Sequence, residues 1–229
     1  YVTDIRRDKM KDPDRILPRA QELKGPHSQP FMPRIEREED LAQRDGAFYL
    51  SLLGLRIFRA GLKHSVVNDK WPMFERVFKG FKPAYVASLS DEALEQHMLQ
   101  PGLIKHWGKM KALRTNAAWI MELEREQGGF GSYIANWPVT DIVGLWLDMK
   151  KKGAQLGGRS APAALRMAGK DTFMLSEDVM VQLRAQGVVH KIDDNKAKRD
   201  LLAIQAAFNQ WHEQSGLPMS HISRMLSFT

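Results

Sequence analysis

The stretch that decides the fold runs from Lys150 to Gly169 and reads KKKGAQLGGRSAPAALRMAG. It begins with three lysines at the end of one predicted helix, crosses two adjacent glycines, and enters a second predicted helix that Gly169 closes. Two glycines before a helix N-terminus let several backbone N–H groups reach one anion, because no side chain blocks the approach. The stretch therefore predicts two helices joined by a hairpin, residues 153–160, that can bind a phosphate group.

Helical spacing extends over most of the remaining chain from Leu41 onward, and no segment shows the alternation of a β-strand. Pro72 suits a first helical turn, and Ser90 and Ser176 suit N-caps. Glycines are expected to close helices at positions 128–129, 153, 169, 187 and 216. One face of the first long helix is predicted to carry Phe48, Leu52, Leu55 and Phe58.

These elements predict an all-α protein of about ten helices, arranged as a two-lobed bundle with a cleft between the lobes. Residues 1–40 differ from the rest because they are polar, charged and rich in proline. We expect them to form an extended N-terminal arm with short helical pieces. The helical domain is then predicted over residues 41–229.

The positive charge of the chain is concentrated around the hairpin. The 229 residues carry a net charge of +7, and residues 100–170 hold eleven Lys/Arg against five Asp/Glu, or six of those seven charges. A basic surface of this kind favours a phosphate-rich partner.

The absence of cysteine limits the chemistry available to the protein. It excludes disulfides, iron–sulfur clusters and cysteine-ligated zinc. No two of the seven histidines form an i, i+4 pair with an acid, so we expect no metal site. No apolar run approaches the roughly 18 residues of a membrane span. We therefore expect a cytoplasmic monomer that does not contact membranes.

Three segments resemble known DNA repair enzymes. Residues Leu156–Ser160 followed by Asp178 resemble the helix-hairpin-helix and downstream aspartate of the endonuclease III-type DNA glycosylase superfamily. Ala60–Leu62 and Pro101–Lys109 resemble the Ala-Gly-Leu and Gly-Ile-Ile-Arg-x-x-x-Lys segments of the 3-methyladenine DNA glycosylase I family. The resemblance covers roughly residues 45–190. It implies an enzyme that hydrolyses the N-glycosidic bond of an alkylated or otherwise damaged base in double-stranded DNA.

Several positions depart from that family. Arg56 stands where the family has a base-reading glutamate, and His64 stands where it has a base-stacking tryptophan. The cysteines that ligate the family's zinc are missing. Ser160 occupies the position of the Schiff-base lysine of bifunctional members, which implies a monofunctional enzyme. The superfamily's hairpin often holds a monovalent cation through carbonyl oxygens, and no other cofactor is expected.

The resemblance assigns catalysis to Asp178, a carboxylate that can stabilise positive charge on the sugar. Glu177 is an alternative acid, and Asp178 could instead serve only the helix dipole. The candidate DNA-binding residues are Gly157, Gly158, Arg159, Ser160, Lys152, Lys105 and Lys109. The candidate base-pocket residues are His64, Tyr49, Arg56 and Trp71. The lysines could equally be solvated helix faces, and Tyr49 and Trp71 could be core residues.

Two other functions stay open at this point. The first is a non-catalytic protein that uses the same hairpin to recognise bent or damaged DNA. The second is a helical protein-interaction domain that does not bind nucleic acid. A steep dependence of binding on salt would separate DNA binding from the second alternative.

Overall fold

The computed structural model describes residues 32–193 and 195–228, and over these residues the chain is helical without a β-strand. The all-α prediction is confirmed. Of the predicted arm over residues 1–40, residues 1–31 lie outside the described residues. The described α-helices are α1 Glu38–Gln43, α2 Gly46–Arg59, α3 His64–Val77, α4 Pro83–Ala87, α5 Asp91–Met98, α6 Trp107–Gln127, α7 Phe130–Ala135, α8 Ile142–Lys152, α9 Ser160–Ala168, α10 Glu177–Ala185, α11 Lys198–Ser215 and α12 Met219–Leu226. Short 3-10 helices cover Lys79–Phe81 and Val139–Asp141.

The chain divides into two compact units. The hairpin unit consists of Glu36–Trp137 and Gly144–Lys170. Among the described residues, the C-terminal unit consists of Pro138–Val143, residues 171–193 and 195–228, and residues 32–35. Helix α8 therefore starts in the C-terminal unit and continues in the hairpin unit. No helix among the residues that the structure describes has the length and apolar character of a membrane span.

The core of the hairpin unit forms where α2 packs on α6. A Cβ atom built on Gly54 would lie 2.7 Å from a Leu113 side-chain carbon, so glycine lets the two helices approach closely. The face that carries Phe48, Leu52, Leu55 and Phe58 is only partly buried, since Phe48 is 39% exposed and Leu52 and Leu55 are half-buried. Helix α2 is apolar nearly all round, and periodicity alone could not select the face. The side chains that α2 buries are Tyr49, Leu50, Leu53, Ile57 and Phe58.

Ring contacts with Phe58 of α2 hold α3 against the same core, and the aromatic packing explains a second difference. Trp71 stacks on Phe74 and on Phe81 at centroid distances of 4.8 and 5.2 Å. Pro72 lies inside α3, which begins at His64, and not in a first turn. Proline leaves the carbonyl four residues earlier without its helical donor. Because that residue, Asn68, is exposed, water can satisfy the carbonyl, and the buried rings beside Pro72 keep the helix intact.

The predicted helix ends are largely confirmed. The Ser90 hydroxyl accepts a hydrogen bond from Ala93 N–H, and the Ser176 hydroxyl accepts one from Val179 N–H. Gly128 and Gly169 close α6 and α9 with φ of 73° and 92°, in the left-handed region that glycine tolerates.

The C-terminal unit is built around α11. Its predicted stripe of Leu201, Ile204, Phe208 and Trp211 is buried. The ring of Phe173 stacks on Phe208 at a centroid distance of 4.1 Å. Burying a large apolar side chain of this kind stabilises the unit by roughly 1.5–3 kcal/mol.

Helix α12 is held at its N-terminus by a buried acid. The Asp171 carboxylate accepts hydrogen bonds from the N–H groups of Met219 and Ser220, at 3.0 and 2.8 Å. Ser223 is buried as well, and its hydroxyl bonds the Met174 backbone. The polar residues of this segment therefore stabilise the C-terminal unit from within.

Candidate nucleic-acid interface and active site

The hairpin between α8 and α9 is a tight turn with two residues in the left-handed region. Gln155 has φ of 58° and Gly158 has φ of 57°. Leu156 is buried and anchors the middle of the turn, while Gln155 and Gly158 are exposed. The Ser160 N–H donates to the Gly157 carbonyl at 3.1 Å and closes the turn at the start of α9.

Asn116, a fully buried residue of α6, holds the start of this hairpin. Its side-chain nitrogen donates to the Ala154 carbonyl at 3.1 Å, and its side-chain oxygen accepts from the Ala154 N–H at 2.8 Å. This pair of hydrogen bonds satisfies both backbone groups of Ala154, a loop residue that has no helical hydrogen bonds. The position of the turn is therefore fixed by a helix that lies 38 residues earlier in the chain.

The outer surface of the turn presents unsatisfied donors. The N–H groups of Gly157 and Gly158 donate to none of the residues that the structure describes. Arg159 is exposed at the N-cap of α9, and Ser160 follows it as the first helical residue. Adjacent free N–H groups, a helix N-terminus and a nearby cation together favour an anion such as a phosphate.

The predicted DNA-binding lysines occupy different environments. Lys105 is exposed, whereas the Lys152 ammonium lies 2.9 Å from the Asp148 carboxylate, which also accepts a hydrogen bond from the Tyr133 hydroxyl. Burial and the nearby Asp148 raise the pKa of Tyr133. Lys152 nevertheless keeps 41% of its side chain exposed, so a phosphate can still reach it.

The interpretation of Lys109 as a DNA contact is wrong. Its side chain is buried, and its ammonium donates to the carbonyls of Phe58 and Ala60 at 3.2 and 2.6 Å. These carbonyls lie at the C-terminal end of α2, where a cation satisfies otherwise orphan acceptors. Burial and the charge of Arg56 lower the pKa of Lys109.

Asp178 lies in the first turn of α10 and is exposed. Its carboxylate forms no hydrogen bond or ion pair with any residue that the structure describes. Glu177 beside it is exposed in the same way, so the choice between the two acids stays open. The Ser176 cap fixes the start of the helix and thereby the direction of both side chains.

Two of the predicted pocket residues are core residues, which corrects that assignment. Tyr49 has no exposed surface, and its hydroxyl donates to the Leu41 carbonyl at 2.6 Å. Burial raises the pKa of Tyr49 to about 12. Trp71 is buried in the aromatic stack, and its indole N–H donates to the Ser51 hydroxyl. Neither ring is accessible to a base, because the packing of the helices buries both of them.

The other two predicted pocket residues are accessible. His64 is exposed at the first residue of α3. Arg56 is partly buried on α2, and its Nε atom is buried without a hydrogen-bond partner. Burial lowers the pKa of Arg56, and the charges of Arg59 and Arg159 lower it further.

The sequence did not reveal the roles of Asn116, Asp148 and Arg59. Arg59 donates twice to the side-chain oxygen of Asn68, at 3.0 and 2.7 Å. The local signal that could have identified Asn116 is its place among the apolar positions of a helix. A buried amide must be hydrogen-bonded, so an asparagine there indicates a structural hydrogen bond. Asp148 lies four residues before Lys152, a spacing that does indicate an ion pair on a helix.

Comparison with known proteins places the chain in a family. A family model for methyladenine glycosylase matches residues 41–156, which is more than half of the chain. The chain therefore belongs to the methyladenine glycosylase family. Escherichia coli DNA-3-methyladenine glycosylase 1 is 25% identical over 99 residues, which cover 43% of this chain and 53% of that protein. The chain thus spans about half the length of this curated relative.

Two solved structures have a similar helical fold. The 8-oxoguanine DNA glycosylase of Methanocaldococcus jannaschii matches with a TM-score of 0.56 and 15% identity, over 95% of this chain and 94% of that one. The 8-oxoguanine DNA glycosylase of Thermotoga maritima matches with a TM-score of 0.51 and 16% identity, over 96% and 95%. Both likenesses concern the helical fold.

Proposed function

We propose that this protein is a monofunctional DNA glycosylase that removes a damaged base from duplex DNA by hydrolysing its N-glycosidic bond. The observation that carries the proposal is the hairpin of residues 153–160. It presents two free N–H groups on a turn that Asn116 holds in place. Family membership supports the same function.

In this proposal the hairpin binds the phosphates of one DNA strand. The N–H groups of Gly157 and Gly158, the Ser160 hydroxyl and the Arg159 side chain contact the backbone and fix its register. Lys152 and Lys105 add attraction that depends on salt. These contacts carry no sequence information, which suits an enzyme that must search for damage in any sequence.

The Asp178 carboxylate then acts on the sugar of a base that has left the stack. The C1′–N bond breaks and its electron pair leaves with the base, so positive charge develops on the sugar. The carboxylate stabilises that charge and orients a water molecule, whose oxygen attacks C1′ and whose proton passes to the carboxylate. An exposed carboxylate without a partner among the described residues is available for this role. Ser160 cannot form a Schiff base, so the proposed reaction stops at the abasic site.

In this proposal the hairpin also holds a monovalent cation, as the superfamily that it resembles often does. The carbonyl oxygens of Ala154 and Gly157 each accept one hydrogen bond and keep a second lone pair for an ion. A cation there would add positive charge beside the phosphate. Among the described residues no cluster of three or more His, Asp or Glu side chains offers a metal site.

The test is a single-turnover assay with enzyme in excess over duplexes that each carry one damaged base. Alkali converts each abasic site into a strand break that a gel resolves. We expect the wild-type protein to release at least one damaged base. We expect Asp178→Asn to slow release by roughly a hundredfold or more, as for loss of a general base.

Glu177→Gln is the matched control, since it removes the same charge from the same helical turn. Duplex binding should survive both substitutions. If the control is the slow variant, Glu177 is the working acid. If neither variant nor wild type releases any base while all three bind DNA, the protein is the non-catalytic DNA-binding module.

A further inference from the structure

Three consecutive lysines end helix α8 directly before the hairpin, and the structure gives them different surroundings. The Lys152 ammonium is paired with Asp148. Lys150 and Lys151 are both exposed, and neither ammonium forms a hydrogen bond or ion pair with any residue that the structure describes. Successive side chains leave a helix about 100° apart, so the three cations lie on different sides of α8.

The side chain of Lys150 lies along the hairpin. A Cβ atom built on Gly157 would be 3.6 Å from the Lys150 Cγ and 3.7 Å from its Cδ and Cε, which is ordinary van der Waals contact. The Nζ atom is bonded to Cε, so the ammonium lies within about 5 Å of that Cβ position. The methylene stem therefore packs on Gly157, which is only partly exposed, and leaves Gly158 open.

No acid on α8 is placed to pair with the Lys150 ammonium. Side chains three and four positions apart are neighbours on a helix. The residues at these positions around Lys150 carry no charge, and they are Trp146, Leu147, Gly153 and Ala154. A lysine that packs its stem on the protein and keeps its ammonium in solvent retains its full charge for a ligand.

We propose that Lys150 completes the phosphate site of the hairpin, and that its ammonium binds the same DNA backbone phosphate as the free N–H groups of Gly157 and Gly158. This inference rests on the proposed function and names the cation of its strand contact. The N–H groups supply directed hydrogen bonds, and the ammonium supplies a full charge that the turn itself lacks. Lys151 and Lys152 then contribute only long-range attraction.

A free phosphate ion carries the same oxygens as the DNA backbone, and the openness of the hairpin favours the polymer. No atom lies within 4 Å of a Cβ built on Gly158, so a chain has room to continue on either side of a bound phosphate. Sites for small ligands are instead concave and bury most of the ligand surface.

The experiment measures the binding of an undamaged duplex by fluorescence anisotropy over a series of salt concentrations. Lys150→Gln should weaken binding roughly tenfold at fixed salt, as for the loss of one hydrogen bond to a charged group. It should also reduce the slope of log K against log salt by about 0.9, the value for one phosphate. Lys150→Arg should restore most of both quantities, because it keeps the charge.

Lys151→Gln is the matched control, since it removes the same charge from the next residue of the same helix. It should change the salt slope by less than half as much as Lys150→Gln does. Urea denaturation should find the same stability for both variants and the wild type, because both ammonium groups are exposed and without a partner among the described residues.

A double-mutant cycle tests whether the contact lies at the hairpin. Gly157 is not among the residues with positive φ, so Gly157→Asp introduces a carboxylate beside Lys150 without backbone strain. This carboxylate should pair with the ammonium and exclude the phosphate. In the Gly157→Asp background, measured at lower salt, Lys150→Gln should therefore lose more than half of its effect on the salt slope.

Three results would overturn the proposal. The first is an equal loss of salt slope in Lys150→Gln and Lys151→Gln, which marks a diffuse charge effect. The second is an undiminished effect of Lys150→Gln in the Gly157→Asp background, which places the contact elsewhere. The third is displacement of the duplex from the wild type, but not from Lys150→Gln, when inorganic phosphate replaces chloride at constant ionic strength. That result assigns the site to a free ion.

The base-release assay separates this inference from the proposed function. If the Lys150 variants behave as expected but the wild-type protein releases no damaged base, the proposed function fails and the assignment of Lys150 stands. If a damaged base is released but the Lys150 and Lys151 variants have equal salt slopes, the assignment of Lys150 fails and the proposed function stands.

Discussion

Replacing Asn116 with alanine should loosen the hairpin more than any other single substitution outside it. Asn116 makes two hydrogen bonds to Ala154, and both are lost in the variant. An unsatisfied backbone group costs about 1–3 kcal/mol, with the lower end suited to Ala154 because it is only partly buried. We therefore expect a loss of about 2–3 kcal/mol in the free energy of unfolding.

The same loss should appear in DNA affinity, because the variant must order the turn before it can bind. When ordering the turn costs about 2 kcal/mol more, the fraction of protein that is competent to bind falls, and the apparent Kd rises roughly thirtyfold. Urea denaturation measures the first quantity, and anisotropy with an undamaged duplex at fixed salt measures the second. Hydrogen exchange at the Ala154 amide should become faster in the variant by a matching factor.

Asn209→Ala is the matched control for this prediction. Asn209 also makes two side-chain hydrogen bonds, one to the Thr140 carbonyl and one from Gln205, but it belongs to the C-terminal unit. It should lower stability and leave duplex binding unchanged. The reasoning is refuted if Asn116→Ala loses stability but binds duplex DNA as tightly as the control does.

Two further predictions concern a pair of lysines and a buried tyrosine. Lys105→Met should weaken duplex binding and reduce the salt slope by about one, whereas Lys109→Met should leave that slope unchanged and lower stability by about 1–3 kcal/mol, because two carbonyls lose their donor. Equal salt slopes for the two variants would contradict this assignment. Tyr49→Phe should cost about 1–2 kcal/mol at pH 8, where it removes the hydrogen bond to Leu41. Burial raises the pKa of Tyr49 from 10.0 to about 12, so the stabilisation by the protonated hydroxyl is complete below pH 10 and is lost as the pH rises towards 12. At pH 11 the wild type has lost about 1.4 kcal/mol of this stabilisation, whereas the variant has no hydroxyl to ionise. Urea denaturation should therefore find a smaller difference in unfolding free energy between the two proteins at pH 11 than at pH 8. A difference that is equal at both pH values would contradict the burial of this hydroxyl.

The helix ends were predictable because their chemistry is local. A serine N-cap acts on an N–H three residues away, as Ser90 and Ser176 do, and a glycine C-cap acts within the same turn, as Gly169 does. The two glycines of the hairpin were predictable for the same reason. All of these signals lie within a few residues of the structure that they determine.

The errors arose where long-range packing decides. Lys109 resembles a surface lysine in the first turn of a helix, but it caps carbonyls that lie 49 and 51 residues earlier in the chain. Pro72 resembles a helix start, but buried aromatic rings on either side keep it in the middle of α3. Tyr49 and Trp71 carry polar groups that suit a pocket equally well as a core. Only the contacts with Leu41 and Ser51 show that these groups are already satisfied.

The hairpin and the proposed catalytic acid belong to different units. The hairpin depends on Asn116, Leu156 and the glycine pair, whereas Asp178 lies in the C-terminal unit. A substitution at Asp178 should therefore change the rate of base release without changing how the strand is held. The salt slope of duplex binding and the rate of base release should thus vary independently between the Lys105 and Asp178 variants, and a correlation between them would mean that the same side chains perform both tasks.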